Sequence, residues 1–125
     1  MQTGELGKVY QDGETIIRQG DVGDTMYVVQ EGQVEVVVEQ DSQEVLLAVR
    51  GAGQPIGEME IIERQPRSAT VRARGQARVL TVDKKSFLRR IHEDPSLAFY
   101  MMQTMSHRIR DLSAEVARLE AHPKT

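Results

Sequence analysis

The sequence predicts a mainly β chain with α: an antiparallel β sandwich or jelly roll with flanking helices, one of them a long C-terminal dimerisation helix. Three observations predict it. All 10 glycines lie at or before Gly75, and none follows it; glycine supplies corners between short strands and is excluded from long helices. Apolar and polar residues alternate through the front half, which is a strand period. In the tail the apolar positions switch to spacings of four and three, which is a helical period. The 125 residues suffice for one ordinary domain built from these parts.

The strands follow in order. Residues 14–18 lie between glycine-containing corners at 11–13 and 20–24. Residues 26–30 come next, and Glu31-Gly32 reads as a short hairpin connection into 34–38. There Val34, Val36 and Val38 alternate with Glu35, Val37 and Glu39, giving one apolar and one mostly wet face. Residues 40–43 turn the chain into a strand over 44–49, and strands 69–73 and 77–82 flank a turn at Gly75-Gln76. Strands of about six residues at roughly ten-residue spacing point to an antiparallel sandwich or jelly roll.

After Val82 the pattern becomes helical. Asp83 is an N-cap for a short helix over about 84–93, and Asp94 or Pro95 starts a longer one that nothing interrupts before Pro123. Over 95–121 that helix would be about 40 Å long, leaving 122–125 as a tail. Met105, Ile109, Leu112, Val116 and Leu119 form a 4-3-4-3 seam, extended by Met101 and Leu97. Such a stripe either packs on its own β domain or pairs with a second copy. Its narrow width, flanked by Arg110, Asp111, Glu115, Arg118 and Glu120, favours a homodimer. The domain boundary is placed at 94/95.

Composition removes several function classes. The net charge of −3 provides no global field for DNA or an anionic membrane surface. With no cysteine there is no disulfide framework, thiolate metal site or cysteine nucleophile. Apolar runs reach only four to five residues, so no membrane insertion is expected, and Met1 to Glu5 lack a secretory start. A cytoplasmic location follows as the default. His92, His107 and His122 recur every 15 residues on the helical tail and gather no catalytic set. Asp21 and Asp24 read as turn formers rather than metal ligands. Lys84, Lys85, Arg89 and Arg90 form a solvated basic face without the interleaved aromatics of a nucleic-acid surface. No catalytic residue, metal or cofactor is expected; the chain is not read as an enzyme.

The chemistry concentrates in 51–70. Gly57 precedes the acid Glu58, and nine residues later comes Arg67, between Pro66 and the small Ser68 and Ala69. A helical start at Gly57 leaves backbone N–H groups to face an anion. Arg67 offers a planar fork to two phosphate oxygens, the Ser68 hydroxyl adds a donor, and Ala69 lets the backbone approach. Glu58 suits hydroxyls rather than the phosphate itself. Together they describe a ligand with an anionic end and a hydroxyl-bearing end, a sugar phosphate or nucleotide. A plain Glu58–Arg67 surface salt bridge is the alternative.

The stretch from Gly20 to Val36, followed by Ile56-Gly57-Glu58 and by residues 66–71 (Pro-Arg-Ser-Ala-Thr-Val), closely resembles the cyclic-nucleotide-binding domain family. That family includes the catabolite activator protein, the regulatory subunits of cyclic-AMP-dependent kinase and nucleotide-gated channels. The resemblance covers about residues 5–121. It implies a β jelly roll with helices at both ends and a phosphate-binding cassette over about 56–71. It also implies that Glu58 bonds the ribose 2′-hydroxyl and Arg67 the exocyclic phosphate oxygens. Backbone groups around Gly57 and Met59 help hold the sugar and phosphate, and Ser68 and Ala69 donate to the phosphate.

Three departures stand out. Ile56 replaces the usual phenylalanine, and Glu60 stands where the family has a small residue; its carboxylate is expected to point outward. Ser68 is of the bacterial type and favours cyclic AMP, with cyclic GMP second. The chain also stops before the helix-turn-helix of bacterial activators, so it is read as stand-alone and without DNA binding of its own. In the activator branch the long helix caps the base, which places Leu112 against the purine and Ser113 at its edge; Leu112 fits the dimer seam equally well. The expected function is a dimeric cyclic-nucleotide sensor that signals through a hinge over about 87–95 to a protein partner or a separate output domain. The alternatives are a degenerate interaction module that has lost its nucleotide, and the effector domain of a larger transcription regulator, channel or kinase.

Overall fold

Two long strands, β3 (Thr25–Gln40) and β6 (Thr70–Asp83), run antiparallel and form the spine of the β unit. The computed structural model describes residues 6–121; Met1 to Glu5, the tail 122–125 and His122 within it lie outside the described residues. The remaining elements are β1 (Lys8–Tyr10), β2 (Thr15–Ile17), β4 (Gln43–Gly51), β5 (Pro55–Ile56), α1 (Glu58–Ile62), α2 (Lys84–Glu93) and α3 (Pro95–Ala121). The sheet has the order β1-β6-β3-β4, with β2 also on β6 and β5 also on β3. Every pairing is antiparallel, which makes this the predicted β roll.

The predicted strand pairs 26–30/34–38 and 69–73/77–82 are each one continuous strand. Glu31-Gly32 is therefore not a hairpin, and Gly75-Gln76 is not a chain reversal. The register between β3 and β6 slips twice, between Val29 and Glu31 and between Glu31 and Gln33. Gly32 takes φ 79°, and a Cβ there would lie 2.3 Å from the Gln76 carbonyl oxygen. A glycine signal for positive φ is met equally by a tight turn and by a bulge that bends a long strand. The same device corrects the valine pattern. A further slip between Val36 and Val37 changes the facing phase, so Val34 and Val37 are buried while Val36 and Val38 are half-buried. The reversal at 40–43 is a true hairpin, with Asp41 and Ser42 at φ 53° and 63°.

The core of the roll gathers Ile17, Val29, Val34, Ile56, Val71 and Val79 from four strands. On the more exposed side, Arg72 ties three strands together. Its Nε donates to Glu35 Oε2 at 2.8 Å and its Nη1 to Glu44 Oε2 at 3.0 Å.

The chain divides into two compact units, 1–86 and 87–125. Asp83 caps α2 as the sequence indicates, accepting from Ser86 N at 2.7 Å. Asp94 accepts from Ser96 N at 3.2 Å, and Pro95 opens α3. Along α3, Met101 is buried and Met105 half-buried, whereas Ile109, Leu112, Val116 and Leu119 are each more than half exposed. No helix among the described residues is long and apolar enough to cross a membrane.

Candidate functional site

Segment 55–71 leaves the sheet and returns to it. β5 pairs with β3 at Tyr27↔Ile56 and Val28↔Pro55. Gly57 then turns the chain with φ 75° into the single-turn helix α1, a conformation that favours glycine. The helix closes where Glu63 N donates to Met59 O at 2.8 Å. The return passes the corner at 20–24, and this corner holds the arginine's backbone from both sides. Gly20 N donates to Arg67 O and Arg67 N to Asp21 O, both at 2.8 Å, beside an isolated bridge between Val22 and Pro66. Asp21 thus forms a turn, and that turn has a task.

The Arg67 guanidinium is turned into the protein. Arg67, Glu58 and Glu60 are exposed by only 5%, 5% and 8%. Nη2 donates to the Thr25 carbonyl oxygen at 2.8 Å and to Thr25 Oγ1 at 3.2 Å. Nη1 donates to the Gly57 carbonyl oxygen at 3.3 Å and lies 3.5 Å from Glu60 Oε1. Two glycines make room for it. A Cβ at Gly23 would meet Nη2 at 2.8 Å, and one at Gly57 would meet Nη1 at 2.8 Å. A planar cation with five N–H donors is therefore held edge-on by β3 on one side and by the start of α1 on the other.

One expectation is overturned. The Glu60 side chain does not point outward; it is buried with its carboxylate against Arg67. An interior guanidinium requires a countercharge, and the one-turn helix α1 supplies it. The burial of Glu58 and Arg67 likewise sets aside the plain surface salt bridge.

The other candidate residues are distributed as follows. Gly57 and Arg67 meet within the first unit, and Glu58, the residue after Gly57, is buried there. The Met59 side chain and Ser68 are exposed, and Ala69 is half-buried. Leu112 and Ser113 are exposed on α3 in the second unit. The sequence reading missed Thr25 and Gly23. Thr25 acts partly through its main-chain carbonyl, which residue type does not reveal; Gly23 was visible only as a corner glycine.

Comparison with known proteins places this geometry. The model of the cyclic nucleotide-binding domain matches residues 7–94. The chain is 35% identical over 115 residues to a cAMP-dependent protein kinase type II regulatory subunit of Drosophila melanogaster, which covers 91% of this chain and 29% of that protein. It is 30% identical over 112 residues to the cAMP-activated global transcriptional regulator CRP of Salmonella typhimurium, covering 88% of this chain and 53% of the regulator. The crystal structure of the Thermus thermophilus catabolite activator protein superimposes with a TM-score of 0.83 at 29% identity, over 90% of this chain and 54% of that one. The chain thus spans 29% to 54% of the length of these relatives. On the match across residues 7–94, the shared fold and a buried arginine in the matched cassette, the chain belongs to the cyclic nucleotide-binding domain family.

Proposed function

We propose that the chain is a cytoplasmic, non-catalytic sensor that binds one cyclic nucleotide, cyclic AMP before cyclic GMP, in the cassette. The observation that carries this reading is the buried Arg67 fork, pre-aimed by Thr25 and Gly57 in a segment that also buries Glu58. Arg67 would take the cyclic phosphate, and Glu58 the ribose 2′-hydroxyl. Gly57 and Met59 would contribute backbone groups, while Ser68 and Ala69 would donate to the phosphate. The resemblance would give Leu112 and Ser113 to the base, and Leu112 fits the seam of α3 equally well. Cyclic AMP is preferred because of Ser68 and because the Drosophila and Salmonella relatives are named for it. Both are regulators rather than catalysts.

Signalling follows from linkage: a ligand moves an equilibrium only by its differential affinity for the two states. In this reading the change leaves through the hinge at 87–95 and α3, and is read by a protein partner or an output domain. DNA contact is not a property of these residues.

Isothermal titration with cyclic AMP should give one site per chain, and Arg67→Lys should weaken binding about tenfold or more, because a point charge replaces a bidentate fork. Unchanged affinity in Arg67→Lys would overturn the site. No heat with either cyclic AMP or cyclic GMP would favour the degenerate module, which the Glu60 carboxylate beside the fork recommends.

Assembly through α3 belongs to the same proposal. Ile109, Leu112, Val116 and Leu119 stand exposed at 3-4-3 spacing, as the a and d positions of a two-helix seam do. Sedimentation equilibrium should show a dimer that Val116→Glu converts to monomer. A monomeric wild-type chain at tens of micromolar removes this part of the reading.

A further inference from the structure

We propose that Glu60 is a built-in competitor of the ligand's phosphate: its carboxylate holds the Nη1 side of Arg67, the side an incoming anion has to take, and so sets the concentration at which the sensor responds. The inference rests on the cyclic-nucleotide reading and adds its regulation.

The two arms of the guanidinium are held unequally. Nη2 is fixed at 2.8 and 3.2 Å by the carbonyl and hydroxyl oxygens of Thr25, the first residue of the long strand β3. That carbonyl cannot withdraw without moving the strand. Nη1 is held at 3.3 Å by the Gly57 carbonyl oxygen and at 3.5 Å by Glu60, the N-cap and the third residue of a five-residue helix. The longer contacts, made by the shorter element, are the ones that exchange. A phosphate that engages the Nη1–Nη2 end of the fork through two oxygens needs the Nη1 position.

Charge points the same way. Of the three ionisable side chains buried in the cassette, two are acids, Glu58 and Glu60, and one is basic, Arg67. A cyclic phosphate brings a further acidic group to the same place. To bind, it must both displace Glu60 from Arg67 and tolerate the displaced carboxylate in a region shielded from water, where like charges repel strongly. A neutral residue at position 60 removes both penalties. Gln is nearly isosteric with Glu and can still accept from Nη1, so Glu60→Gln changes the charge while keeping the packing.

Calorimetric titration of the wild type, Glu60→Gln and Glu60→Ala with cyclic AMP tests this. The expected result is binding about tenfold tighter in Glu60→Gln, the gain of one charge-assisted contact no longer contested, with a change in the same direction in Glu60→Ala. If the wild type binds and both variants bind equally or more weakly, Glu60 is structural and the inference fails while the cyclic-nucleotide reading stands. If cyclic AMP binds none of the three, that reading fails and inorganic phosphate decides the inference. A phosphate-dependent rise in Tm larger in Glu60→Gln than in the wild type, and absent from Glu60→Gln/Arg67→Gln, upholds competition for the arginine. Equal rises in all three overturn it.

Discussion

Two arginines five positions apart, Arg67 and Arg72, each meet carboxylates, and they do so in opposite ways. Arg72 lies on β6, with a side chain 29% exposed, and makes short, well-directed bonds of 2.8 Å to Glu35 and 2.5 and 3.0 Å to Glu44. Arg67 is almost wholly buried, and its carboxylate partner sits at 3.5 Å. The better geometry is where water screens it, and the poorer geometry is where the charge is most costly to leave alone. A pair that served only the fold would be expected to show good geometry in the interior. A buried cation held loosely on one arm is instead poised to exchange its partner, which is why the proposed function puts the ligand in the cassette rather than at the Arg72 cluster.

The contrast can be broken by deletion. Arg67→Ala strands the buried Glu60 carboxylate and should cost about 3–5 kcal/mol of unfolding free energy. Arg67→Ala/Glu60→Ala should recover a substantial part, because the stranded charge goes with its partner. Arg72→Ala, whose carboxylates reach water, should cost distinctly less. Urea unfolding followed by circular dichroism reads all three. Equal losses for Arg67→Ala and Arg72→Ala would show that burial does not separate the two clusters.

How much of this was legible in the sequence varies with the physical origin of each feature. The helical half reads well because its signals are local: Asp83 bonds Ser86 N, Asp94 bonds Ser96 N, and Pro95 opens α3 where expected. The hairpin at Asp41-Ser42 is legible for the same reason. The bends at Glu31-Gly32 and Gly75-Gln76 are not, since a local preference for positive φ leaves open whether the chain reverses or bulges; the partner strand decides. β1 and β5 escaped notice because three and two residues are too few for a period to show. In the cassette, Glu58 and Arg67 stand out by residue type and spacing. The inward turn of Glu60 does not, because it depends on which way one turn of helix faces a guanidinium supplied from seven residues away.

The smallest effect sharpens the comparison from the exposed side. The hydrogen bonds from Arg72 hold the Glu44 carboxyl below the ordinary glutamate range; partial desolvation pulls weakly the other way, and the attraction of the guanidinium adds to the lowering. Arg72 is itself pushed up, chiefly by its hydrogen bonds to Glu44 and then to Glu35, and stays charged throughout. A carboxyl lowered in the folded chain binds its proton more readily in the unfolded one. Its contribution to stability is therefore present above the ordinary glutamate range and lost as pH falls through the lowered folded value. Glu44→Gln should leave a shallower fall of the urea midpoint on acidification, with little change near neutrality beyond the loss of the pair itself. Identical acid slopes for wild type and variant would mean that the short Arg72–Glu44 contacts do not persist in solution, and the geometric half of the contrast with Arg67 would go with them.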